Sequence, residues 1–298
     1  MKFQIYSAQS IVNQKIDPKR FDHFKKLELT KKQFSQLHKF CNKVRKGSFL
    51  ASHWDINSFS WYNNLVDVHK VGSGDLTNFP MLELMAKTKK PIIISTGVSN
   101  LGLIKKSLDF IYRISPSYKK DKKIAILQCT ALYPSKFSDV NLKVIKTLKN
   151  KFKLTTGFSD HTIGSMASET AFTLGAEIIE KHFTNSKNNK LFRDHQLSFN
   201  KGDLKRFISN LNKINKLLGK HNKEYSEKEL KNNYHFLIRR GVYAKKKIFA
   251  GEKITKDNIE TLRPKINTCA SQVENIIGKF TKKQILKNEE IKIKFLKN

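Results

Sequence analysis

Short apolar runs alternate along this chain with longer stretches in which apolar residues recur every three or four positions. The first pattern suits buried strands and the second amphipathic helices. The chain opens on Met1 to Tyr6 (MKFQIY), which reads as a strand. Thr30 to Arg45 sets Phe34, Leu37, Phe40, Cys41 and Val44 on one helical face. Ser48 to Ser52 reads as a strand, Asn57 to Val66 as a short helix or turn, and Val68 to Gly72 as a strand running into Gly72-Ser73-Gly74-Asp75. Asn78 to Thr88 is helical, with Pro80 in the first turn, where a missing N–H costs nothing. Pro91 to Thr96 (PIIIST) and Lys123 to Cys129 (KIAILQC) are strands, separated by a helix over Leu101 to Ile114 and followed by one over Asn141 to Phe152. Thr155 to Phe158 closes a strand before Ser159-Asp160-His161, and Ser165 to Leu174 is a helix stopped by Gly175. Ala176 to Phe183 is a further strand, and Gly202 to Leu218 the last amphipathic helix.

Strand-then-helix units at this spacing predict a parallel α/β fold. Seven strands are counted, one short of a closed barrel. The expected fold is a (β/α)8 TIM-type barrel missing its first β/α unit, with one edge exposed. An open sheet is the alternative, but no Gly-x-Gly-x-x-Gly dinucleotide loop occurs. After Lys220 the texture changes. The chain divides into a barrel over 1–220, a polar linker over 221–236 and a small β-rich domain over 237–298. The last is close to the lower size limit for folding alone.

Charge changes the picture less than its size suggests. The net charge is +33, which taken alone invites nucleic-acid binding. The lysines, however, are spread over nearly every predicted helix and loop in runs of two or three, beside abundant Asn and Ile. No basic groove interleaved with aromatics stands out, so no nucleic-acid partner is expected. The field does favour an anionic small substrate. No apolar run approaches a membrane span. Three widely separated cysteines without CxxC spacing point to a reducing, cytoplasmic setting.

Polar residues that interrupt the apolar strands gather at the predicted C-terminal rim, where such barrels do their chemistry. They are Lys2, Gln4, His53, Asp55, Lys70, Ser73, Asp75, Ser95 to Gly97, Gln128 to Thr130, Tyr133, Ser159 to His161 and Lys181-His182. Lysines in or ending apolar strands need pairing or solvent. Lys2, Lys70 and Lys181 converging on one rim suggest a phosphate or carboxylate ligand. His161 and His182 end two strands of one strand–helix–strand unit, so they can lie side by side near Asp194. Two imidazoles beside oxygen ligands suit a divalent metal, although a rim of hydrogen-bonded histidines fits the same spacing.

The motifs KVGSGDLTNFPML, KPIIISTG, LQCTALYP, GFSDHTIG, EKHFT, RDH and the late LRP, in that order, resemble the sialic acid (N-acetylneuraminate) synthase family. The segment GVYAKKKIFAGEKITKDNIETLRP resembles the antifreeze-like (SAF) domain that ends those enzymes. The resemblance implies condensation of phosphoenolpyruvate with N-acetylmannosamine or a related acylamino sugar, with release of phosphate. It implies that His161 and His182 hold manganese or magnesium, and that these two with Lys70 and Asp194 form the catalytic set. Lys2, Lys70, Ser73, Ser159, Lys181 and His53 become phosphoenolpyruvate contacts; Gln4, Asp75, Tyr133, Asp194 and Arg263 become sugar contacts. Arg263 is implied to reach into a partner's barrel, in a domain-swapped homodimer. Departures are present: Ser52-His53-Trp54-Asp55 replaces the usual Ser-Thr-Pro-Phe-Asp, and the family's opening IAEIG-type strand has no counterpart. A truncated, non-catalytic homologue that binds ligand or partner is the alternative.

Overall fold

Seven parallel strands carry the larger part of the molecule: β1 (Lys2–Ile5), β2 (Leu50–His53), β3 (His69–Val71), β4 (Ile92–Ser95), β5 (Ile124–Cys129), β6 (Thr155–Asp160) and β7 (Ile178–Lys181). In this computed structural model residues 1–44, 48–188, 190 and 192–298 are described, so the expected helix end at Arg45 lies outside them. The strands hydrogen-bond in sequence order, and the sheet curls into a TIM-like half-barrel with β1 and β7 as its edge strands. The expected strands and their direction are therefore observed.

Strand alternation sorts the side chains into two layers. Ile92 and Ile94 of β4 and Ile124 and Ile126 of β5 join Ile104, Leu108 and Ile111 of the helix Leu101–Ile114 in one buried cluster. Each such side chain contributes roughly 2 kcal/mol on burial. Asn100 caps this helix by accepting from Leu103 N at 3.0 Å. The opposite face of the sheet carries the alternate residues, among them Lys2, Ser52, Lys70, Ser95, Cys129, Ser159 and Glu180, several of which the strand register sets opposite one another (Ser52↔Lys70, Cys129↔Ser159, Ser159↔Glu180). Gly157 lets β5, β6 and β7 close up: a Cβ there would meet Ile178 O at 2.3 Å and Leu127 Cδ2 at 2.5 Å.

Among the described helices of eight residues or more, one was not expected. Pro18–Leu27 is largely polar, so its periodicity is weak, but Asp17 caps it by accepting from Arg20 N at 3.0 Å and Pro18 opens it.

The second unit covers Lys220–Asn298. The stretch expected as linker holds two short helices, Glu227–Lys231 and Tyr234–Leu237. Beyond it β8 (Gly241–Ala244) pairs antiparallel with β9 (Ile259–Leu262), and β10 (Phe280–Thr281) with β11 (Leu296–Lys297). Val242, Ala244, Ile248, Ile254, Ile276, Ile285 and Ile291 form its core. The Glu290 carboxylate accepts the backbone N–H groups of Ile266 at 2.9 Å, Asn267 at 2.7 Å and Thr268 at 3.1 Å. Burial works against that charge, yet these hydrogen bonds hold its pKa below the usual range.

Candidate active site

The site is built on period two. In β6 and β7, Ser159 stands opposite Glu180 and Asp160 opposite Lys181. Ser159 donates to Glu180 Oε1 at 2.9 Å, and two residues on, the rings of His161 and His182 meet with centroids 5.4 Å apart. Asp160 and Lys181 fall on the other face, where Lys181 Nζ is 3.0 Å from Asp160 Oδ2.

Glu180 is the hub. Lys2 Nζ, from the opposite edge strand, lies 3.3 Å from Oε1, and Lys70 Nζ 3.5 Å from Oε2. Lys70 is 1% exposed and donates to Ser95 Oγ at 2.7 Å and Val71 O at 2.9 Å. Lys2 Nζ reaches Ser52 Oγ at 3.4 Å. Burial brings the Lys70 pKa down to about 8, against the attraction of Glu180 and with help from the Lys2 charge. Burial would raise Glu180, but Lys70 and Lys2 outweigh it and bring its pKa to about 2. At neutral pH the cluster therefore holds two ammonium groups and one carboxylate, a surplus of one positive charge. That suits an anion with several oxygens.

The histidines stand beside this cluster as neutral rings. His161 Nδ1 is 2.8 Å from Thr130 O. A carbonyl only accepts, so Nδ1 carries the proton and Nε2 keeps a lone pair. Burial lowers the pKa of His161 and, with the neighbouring His161, brings that of His182 to about 4. The Tyr133 ring is tilted against His161 with centroids 4.0 Å apart, and Asp194 Oδ2 is 3.7 Å from His182 Nδ1. Two neutral imidazoles fit a divalent ion that takes its other ligands from water and substrate. Among the described residues no group of three or more His, Cys, Asp or Glu stands ready to hold a metal. The Cys129 Sγ, 3.9 Å from His161 Nδ1, is kept a thiol by burial.

Several expected contacts lie elsewhere. His53 is fully buried on the outer face of β2, stacked 4.2 Å from Tyr62 with Nε2 2.9 Å from Ser58 Oγ. Strand alternation places Ser52, not His53, beside Lys70. Lys181 is likewise removed from the anion cluster: it pairs with Asp160, donates to Thr162 O and lies over the Phe199 ring. Glu180 was not foreseen, although its signal was present. With His182 facing the site, the residue two before it in the strand faces the site as well. Gln4 is exposed on β1, on the same face as Lys2. Ser73 Oγ accepts from Gly97 N at 3.0 Å, and Asp75 Oδ1 accepts from Asn78 Nδ2 at 3.2 Å. Arg263 is exposed in the second unit, before a cis Pro264.

Comparison with known proteins meets this geometry. The model of the NeuB family matches residues 1–223, and that of the SAF domain residues 239–297. The N,N'-diacetyllegionaminic acid synthase of Campylobacter jejuni is 35% identical, over 98% of this chain and 89% of the relative. The human N-acetylneuraminate-9-phosphate synthase is 31% identical, over 87% of this chain and 70% of the relative. The crystal structure of N-acetylneuraminic acid (sialic acid) synthetase from Leptospira borgpetersenii, in complex with citrate, superposes with a TM-score of 0.68 at 26% identity, covering 78% of this chain and 79% of that one. By the matching family model and these relatives, the chain belongs to the NeuB family and carries a SAF domain after its half-barrel.

Proposed function

We propose that this chain is a nonulosonic acid synthase that condenses phosphoenolpyruvate with N-acetylmannosamine or a related acylamino sugar. The observation that carries the reading is the Lys2–Glu180–Lys70 cluster set beside the neutral His161–His182 pair. The names of the relatives point to the same reaction class.

In this reading Lys2 and Lys70 neutralise the phosphate and carboxylate, with the hydroxyls of Ser73 and Ser159 in support. Gln4, Asp75, Tyr133 and Asp194 face the sugar. C3 of phosphoenolpyruvate attacks the sugar's aldehyde carbon, and the aldehyde oxygen takes a proton. Water adds at C2, and the tetrahedral intermediate collapses with cleavage of the C–O bond, releasing phosphate and leaving a 2-keto acid. Glu180, with a pKa near 2, is a poor proton acceptor at neutral pH; its part is to hold the two ammonium groups in place. His161 and His182 would hold a manganese or magnesium ion, which when bound polarises the aldehyde oxygen as a Lewis acid.

Among the described residues no helix is long and apolar enough to cross a membrane, and Cys41, Cys129 and Cys269 are free thiols. A reducing cytoplasmic compartment suits them. A swapped homodimer in which Arg263 serves the partner's sugar site belongs to the same reading and rests on the resemblance. A monomer by sedimentation at assay concentrations would remove it.

The test is turnover in water enriched in oxygen-18. Phosphate release that depends on the sugar, with the label in the keto acid and none in the phosphate, is the expected result. Labelled phosphate would mean P–O cleavage and refute the mechanism. Binding of phosphoenolpyruvate without release would favour a non-catalytic homologue.

A further inference from the structure

Each histidine of the site follows one half of a buried ion pair. Asp160 precedes His161 and Lys181 precedes His182, and the register of β6 and β7 sets these two opposite each other. Lys181 Nζ lies 3.0 Å from Asp160 Oδ2, with the Asp160 side chain fully enclosed and that of Lys181 6% exposed. Asp160 also accepts from Ser168 Oγ and, through Oδ1, from Thr162 N at 2.7 Å. Lys181 Nζ donates to Thr162 O as well. Both backbone polar groups of Thr162, the residue after His161, therefore end on this pair.

The same lysine reaches the surroundings of the other histidine. Its Nζ lies 5.2 Å from the centre of the Phe199 ring, and Phe199 N donates to His182 O at 2.8 Å. An ammonium carries three N–H groups and accepts nothing. Asp160, Thr162 and the Phe199 ring face it, so its charge serves the protein rather than a ligand.

Stability alone does not call for charges here. Taking two ions out of water is costly, and an apolar pair of the same volume commonly serves a fold as well or better. What an apolar pair cannot do is accept from Thr162 N and donate to Thr162 O, on a residue that is itself fully buried. We propose that Lys181, acting with Asp160, is a positioning residue: it fixes the backbone on both sides of His161 and holds that ring at the distance from His182 at which the two share a divalent ion. This rests on the synthase reading for the metal. It gives Lys181 a part in the site through the two histidines rather than through the anion.

Lys181→Met leaves Asp160 buried without a counter-charge, so it should lower the urea midpoint. Asp160→Asn combined with Lys181→Met removes both charges at nearly constant volume. This double variant should regain most of that loss, while Thr162 O stays without its donor. Manganese affinity, read from the free-ion signal in electron paramagnetic resonance, should fall at least tenfold in both chains. Phosphoenolpyruvate binding, read by calorimetry without metal, should stay within threefold, since the Lys2–Glu180–Lys70 cluster lies on the other face. A role in stability alone predicts that manganese affinity returns with the urea midpoint in the double variant, and that result would overturn the proposal. A crystal structure of the double variant gives a second readout. The His161 and His182 rings should leave their 5.4 Å spacing, and an unchanged spacing would likewise overturn it. A native chain that binds no manganese would refute the metal reading, and the spacing would then decide the positioning claim by itself.

Discussion

Glu180 on β7 lies 3.5 Å from Lys70 on β3, two strands that do not neighbour each other in the sheet. The contact spans the inner face of the half-barrel and ties the anion cluster to the strand that leads into His182. Lys70 is almost fully buried, so its charge depends on this partner. Removing one member of a buried pair leaves the other uncompensated, which costs more than the pair contributes.

Glu180→Gln should therefore lose about 3 kcal/mol of stability in urea unfolding. It should also change anion binding. In the native chain Lys70 is charged below about pH 8, so phosphoenolpyruvate affinity should fall as pH rises through that value. Glu180 raises the Lys70 pKa, so in Glu180→Gln the fall should begin at lower pH. Identical pH profiles would contradict the linkage.

The outer face of β2 and β3 gives the fold an acid limit. Burial brings the pKa of His53 to about 3 and that of His69 to about 4, below the usual histidine value of about 6.5. Both are neutral when folded and take up protons when unfolded, so stability is fully present above pH 6.5 and is lost as pH falls toward the folded values. The slope is about 1.4 kcal/mol per pH unit for each histidine in that window. His53→Phe, which keeps a ring beside Tyr62, should flatten the dependence between pH 6 and 4 in chemical denaturation; an unchanged slope would exclude His53 as a source.

Gly157→Ala should fail to fold or lose on the order of 3 kcal/mol, since its methyl would run into the backbone of β7. Thermal unfolding decides it, and near-native stability would mean that β6 and β7 can part without loss.

In the second unit, Glu290→Gln weakens the charge-assisted bonds to the segment after Pro264. Hydrogen exchange at the amides of Ile266, Asn267 and Thr268 should quicken at least tenfold, with Val242 and Ala244 less affected. Unaltered exchange would show that other contacts hold the segment.

The strands were legible because each is a short apolar run with a polar end, and parallel order followed from the helical stretches between them. Single-residue facing was less so. Lys181-His182 reads as one rim dipeptide, yet adjacent strand residues point to opposite faces, and this moved Lys181 to Asp160 and brought in Glu180. His53 was misplaced for the same reason: Ser52 and His53 cannot both face Lys70. The contact between Lys2 and Glu180 joins the two edge strands, and no local pattern encodes such a pairing.

The central claim is tested most directly by the initial rate of phosphate release from phosphoenolpyruvate, measured with manganese and N-acetylmannosamine for the native chain, Lys70→Ala and His161→Ala. Release by the native chain that falls at least 1,000-fold, or about 4 kcal/mol of barrier, in each variant is the predicted result. No release from the folded native chain, or a full rate in either variant, would contradict the account.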